Sequence, residues 1–112
     1  MYRVGGASAD PKQYMFCSAA LGEKAPVTGS FEKVATTKAA LVKAAKDAAA
    51  YCERAYAQND AASAAPVTLF GQMQTTKLGA LVFNAAHDYE HYGNLVTYFR
   101  LKGMVPPSSQ GM

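Results

Sequence analysis

Tryptophan is absent from this chain of 112 residues, and histidine and cysteine each occur only twice. Cys17 and Cys52 lie far apart, with no CxxC pair and no dense cysteine framework. That excludes a zinc ribbon and a disulfide scaffold, and the two are expected as buried free thiols in a reducing cytoplasm. Charged residues make up only 17% of the chain, and the net charge of +3 is spread without a basic patch or stripe. A nucleic-acid partner is therefore not expected. No apolar run approaches the roughly 18 residues of a membrane span. The opening "MYRVGGASAD" has no apolar stretch of the signal-peptide kind. No segment alternates like a strand over a useful length.

What the chain does have is alanine, the strongest helix former, within a half-hydrophobic composition. Residues 1–9 are small and glycine-rich and are expected to be a flexible lead-in. "DPKQ" at 10–13 reads as a helix start, with Asp10 as cap, Pro11 at the first helical position and Gln13 closing a capping box. This helix should stop at Gly22. A second helix should begin near Thr36 or Thr37 and run to about Gln58, with Leu41, Ala45, Ala48, Cys52 and Tyr56 recurring at helical spacing. "NDAASAAPVTLFGQ" breaks it. A third should run from near Thr75 to Gly103, roughly 40 Å at 1.5 Å per residue, before Pro106 and Pro107 forbid continuation. The expectation is an all-α antiparallel helical bundle, with three main helices in one domain spanning 10–109.

On a helical wheel the third helix separates two stripes. Leu78, Leu81, Val82, Ala85, Tyr89, Tyr92, Val96 and Phe99 share one arc, expected to be buried. Ala80, Asn84, His87, His91, Asn94 and Tyr98 share the other, which lacks the Lys and Glu of a solvent face and suits a polar cavity. Gly93 costs about 1 kcal/mol in a helix interior relative to Ala, and its expected justification is a neighbouring helix passing close. His87 and His91, in "HDYEHYG", stand four residues apart and leave the same face. Two imidazoles on one face can grip a metal ion, although most such sites use a third protein ligand. Asp88 lies within about 100° of the pair on the wheel and Glu90 does not.

The stretch "NAAHDYEHYGNLVTYFRLKGMVPPSS", residues 84–109, resembles the last helix of the DinB-like family. The shared elements are His87, His91, Gly93, Tyr98, Arg100, Gly103, Pro106 and Pro107. "YMFCSAALGEK" (14–24) and "TTKAALVKAAKDAAAYCERAY" (36–56) look like the family's second and third helices. The resemblance implies a four-helix-bundle relative with a metal, nickel or zinc, held by histidines, and thiol-linked transferase, isomerase or hydrolase chemistry on an unnamed substrate. It assigns His87 and His91 as metal ligands.

The sequence departs from that pattern twice. Only nine residues stand before Asp10, where the family has an opening helix. The family's remaining histidine would fall at about Ala7 or Ser8. The metal site is thus expected to be a reduced two-histidine one, weak or vacant, with Asp10 and Asp88 as poor substitutes or the histidines hydrogen-bonded to Asn84, Asn94 or Tyr98. A bundle short of one helix exposes an apolar groove, which leads to the expectation of a homodimer. The alternative function is a non-catalytic helical binding or interaction protein with room for a small-molecule ligand.

Overall fold

A proline at the first helical position loses nothing, because its missing N–H would have no acceptor there. Pro11 opens α1, Pro11–Leu21. The computed structural model describes residues 11–29 and 34–111; the lead-in 1–9, the cap Asp10 and the positions Ala7 and Ser8 lie outside the described residues. At the far end of α1, Gly22 adopts the left-handed region at φ 73°. The Glu23 N–H then donates back to the Ser18 carbonyl at 3.0 Å.

Thr37 caps α2, Lys38–Tyr56, its hydroxyl oxygen accepting from the Ala40 N–H at 3.1 Å. Asn59 caps the one-turn α3, Asp60–Ser63. Thr76 caps α4, Lys77–Leu101, accepting from the Gly79 N–H at 3.0 Å. Gly103, at φ 69°, follows its end. Among the described residues no helix is long and apolar enough to cross a membrane.

Between α3 and α4 stands an element that the all-α expectation misses. Strands β1, Pro66–Leu69, and β2, Met73–Thr76, pair antiparallel, with Pro66 opposite Thr76 and Leu69 opposite Met73. The fold is therefore mostly helical with a two-stranded sheet, and the expected all-α antiparallel bundle is corrected. Strands of four residues offer too few positions for alternation to stand out from noise. The connecting loop also lacks the Asn-Gly or Asp-Gly pair that announces a hairpin. Phe70 adopts φ 54° instead, beside Gly71 at φ 72°, and the Gln72 N–H closes the loop on the Leu69 carbonyl at 3.1 Å. A left-handed phenylalanine costs of order 1 kcal/mol or more. The Phe70 ring offsets this by packing edge-on against Phe16, with centroids 5.8 Å apart.

α1 is buried on two sides. Phe16 and Cys17 are adjacent and both fully buried, yet they belong to different clusters. Cys17 joins Ala20, Cys52, Ala55 and Leu81, binding α1 to α2 and to the first turns of α4. Phe16 joins Leu69 and Ala80, with Val67 and Met73 of the hairpin packed alongside. α1 and α4 run antiparallel, so that Gln13 meets Asp88 and Phe16 meets Phe83.

This docking rotates α4 away from its expected seat. Ala80, Leu81 and Asn84 are its buried residues. Leu78, Val82 and Tyr89, placed by the wheel on the buried arc, are 56%, 60% and 77% exposed. The reason is steric: the methyl of Ala80 lets α1 approach, and Phe16 then fills the space on the histidine side. Gly93 is equally at odds with expectation. A Cβ built there would meet nothing within 4 Å, so no neighbouring helix passes close among the described residues.

Cys17 and Cys52 are bonded to each other, with Cα atoms 5.3 Å apart. The expectation of free thiols is corrected. A spacing of 35 residues says nothing about proximity, whereas the packing of α1 on α2 brings the two Cα atoms within disulfide range. Beside the bond, Glu23 ties the segment after α1 to α2. Its Oε1 accepts from the Tyr51 hydroxyl at 2.7 Å and from the Arg54 guanidinium at 2.5 Å. Burial, then donation to the Glu23 carboxylate, push the Tyr51 pKa up to about 12. The Tyr51 hydroxyl, followed by Arg54, holds Glu23 below its ordinary value.

Reducing the disulfide, or replacing both cysteines by Ala, should lower unfolding free energy in urea by about 3–4 kcal/mol, as expected from freeing a loop of this length in the unfolded chain. Stability should also fall as pH rises from 10 towards about 12, because Tyr51 holds its proton more tightly in the folded state than in the unfolded one. Tyr51→Phe should make that alkaline loss smaller, read as the wild-type minus variant urea midpoint across the same pH window.

Candidate functional site

Residues i and i+4 on a helix share one face, and α4 uses that spacing to bring its two imidazoles together. The Nε2 atoms of His87 and His91 lie 3.0 Å apart, with ring centroids at 4.4 Å and planes at 84°. Both residues are half-buried. His87 presents its edge to Phe16, with centroids 6.0 Å apart. Phe16 in turn touches Phe83 at 5.1 Å and Phe70 at 5.8 Å. The pair therefore stands at the end of a chain of rings that starts at the hairpin loop. A separation of 3.0 Å suits an N–H···N hydrogen bond between one neutral imidazole and the other. It equally suits two nitrogens on neighbouring positions of one ion, since bonds of about 2.1 Å at a right angle put the donors about 3.0 Å apart.

The other members of the expected polar stripe do not gather round the pair. Asn84 is only 2% exposed and turns to α2, donating through Nδ2 to the Tyr56 hydroxyl at 3.1 Å. That hydroxyl donates to the Leu81 carbonyl at 3.0 Å. Among the described residues Asn84 Oδ1 is buried with no hydrogen-bond partner. Asp88 accepts at Oδ1 from Gln13 Nε2 at 2.8 Å. Asn94 and Tyr98 are exposed. Among the described residues no group of three His, Cys, Asp or Glu side chains is placed to hold a metal ion together.

A second feature is barely hinted at in the sequence. α2 and α4 both pack on α1, and the space between them is a cleft of about 520 Å³. Gln13 contributes from α1, Cys52 and Tyr56 from α2, and Asn84, Asp88 and Tyr92 from α4. The only sequence hint was Asp88, which the wheel set beside the histidines and the fold turns into the cleft instead. Tyr92 is pinned by the C-terminal segment, its hydroxyl accepting from the Ser108 N–H at 2.9 Å. No family model, no curated protein and no solved structure matches this chain.

The Tyr56 hydroxyl is the partner of the buried Asn84 amide among the described residues and also satisfies a helix carbonyl. Tyr56→Phe should therefore lower unfolding free energy by about 1–3 kcal/mol, the cost of leaving buried polar groups unpaired. Chemical denaturation with an unchanged urea m-value checks it.

Proposed function

We propose that this chain is a DinB-like protein in which His87 and His91 hold a divalent nickel or zinc ion weakly. The observation that carries the reading is the 3.0 Å convergence of the two Nε2 atoms, together with the H-x3-H-x-G stretch of α4. The donor set fits such an ion on one side only. Imidazole nitrogens suit nickel and zinc alike, and two neutral ligands leave the ion's charge uncompensated, which favours low affinity. A bound ion would act as a Lewis acid and would lower the pKa of water or of a thiol. Phe16 and the rings beyond it wall one side of the pair and limit how the imidazoles can turn.

The second reading is a non-catalytic interaction protein that pairs with a second copy of itself. Its support is the exposed apolar row on α4, where Leu78 and Val82 are 56% and 60% exposed. Such contiguous apolar surface is characteristic of interfaces. A cytoplasmic setting was expected by default, and one ground for it was that the cysteines were read as free thiols. With Cys17 bonded to Cys52 that ground is gone, and a bond of this kind persists best in an oxidising compartment.

The test is metal content by elemental analysis after dialysis against nickel or zinc, on untagged protein beside His87→Ala. The metal reading expects binding in the micromolar range or weaker that disappears in the variant; identical metal content in both would sink it. Sedimentation equilibrium of the wild type beside Val82→Glu decides the second reading. A dimer converted to monomer supports pairing through α4, and a wild-type monomer removes it.

A further inference from the structure

The cleft between α2 and α4 carries charge of one sign. Asp88 from α4 and Glu53 from α2 both line it, and among the described residues no lysine or arginine does, although the chain as a whole is positive. Its walls are aromatic as well. Tyr56, Tyr89 and Tyr92 all contribute to the lining, and Tyr89 stands 77% exposed at the rim.

The hydrogen-bonding groups lean the same way. Gln13 donates to Asp88 Oδ1, and the Tyr56 hydroxyl donates to Leu81. Left with no donor among the described residues are the second oxygen of Asp88, the Glu53 carboxylate and the buried Asn84 Oδ1. Of these only Asn84 Oδ1 is buried, and an orphaned buried acceptor is rare in folded proteins; Glu53 is exposed and Asp88 half-buried. The lining is thus anionic and rich in tyrosine, with one buried unpaired acceptor among the described residues.

We infer that this cleft binds a small organic cation, a protonated amine carried on an apolar body. The ammonium donates to the free oxygen of Asp88 and lies against the tyrosine faces, whose quadrupoles attract cations. The apolar body covers Ala49, Ala85 and the side of Cys52. An anion of the same shape meets two carboxylates and is repelled. A neutral molecule keeps the apolar contact and loses the ion pair. The volume of about 520 Å³ falls within the roughly 300–1,000 Å³ range of small-molecule sites. The site is separate from the histidine pair and does not depend on a metal.

The experiment is titration calorimetry on the intact chain with a chelator present, so that failure of the metal reading cannot affect it. The probes are phenethylamine, protonated at neutral pH, and 2-phenylethanol, its uncharged isostere. The amine should bind saturably and the alcohol about tenfold more weakly, the difference a charge-assisted contact provides. Asp88→Asn, which keeps an acceptor for Gln13, should weaken the amine by about tenfold and leave the alcohol unchanged. Tyr89→Leu, at an exposed position that folding does not need, should weaken the amine several-fold more than the alcohol. Equal affinity for amine and alcohol would overturn the proposal, leaving only an apolar groove. So would an amine affinity unmoved in a folded Asp88→Asn, or no saturable amine binding in the millimolar range. Should Asp88→Asn fail to fold by circular dichroism, the isostere comparison and Tyr89→Leu decide alone.

Discussion

The double burial of α1 is the constraint on which the remainder of the molecule depends. Cys17 is bonded to α2, and Phe16, its neighbour in sequence, is clamped between the hairpin and α4. Beyond Tyr14, Leu69 and Leu81, most of the other buried apolar side chains are alanine. Alanine interfaces let helices approach closely but bury little area, so each contributes little of the roughly 25 cal/mol per Å² that apolar burial supplies. A covalent bond and one fully buried ring make up the difference. Both act through an eleven-residue helix that would be marginal by itself in water.

The orientation of α4 follows from that clamp. Phe16 and Ala80 meet closely, and the helix settles with Asn84 against α2 and the histidines beside the rings of Phe16 and Phe83. Two polar sites with different chemistry result on neighbouring faces of one helix. One is a pair of imidazoles next to a hydrophobic wall. The other is an anionic cleft whose two long walls splay apart because each packs mainly on α1. The outward face keeps Leu78 and Val82 in water, a cost that only a partner surface would remove.

Much of the local structure was legible in the residues, because it is decided within a few positions along the chain. Thr37 and Thr76 cap their helices, Gly22 ends the first, and the i,i+4 histidines meet, all through short-range geometry that composition and spacing encode. The hairpin was not legible. Its strands are four residues long, and its loop places a phenylalanine where a left-handed conformation normally selects Asn or Gly. That choice makes sense only beside Phe16 and Phe83, which lie far away in sequence.

The sequence by itself determined the approximate bounds of the three long helices, though not the one-turn α3, and that two imidazoles share one face. Tertiary structure alone decided that Cys17 and Cys52 are joined, which face of α4 turns inward, and that Asp88 belongs to a cleft and not to the histidines. The physical reason is that helical periodicity specifies the relative angles of side chains about an axis but leaves the rotation of that axis open. The rotation is chosen by what packs against the helix. Here a single buried phenylalanine, facing an alanine, outweighed the burial of Leu78, Val82 and Tyr89.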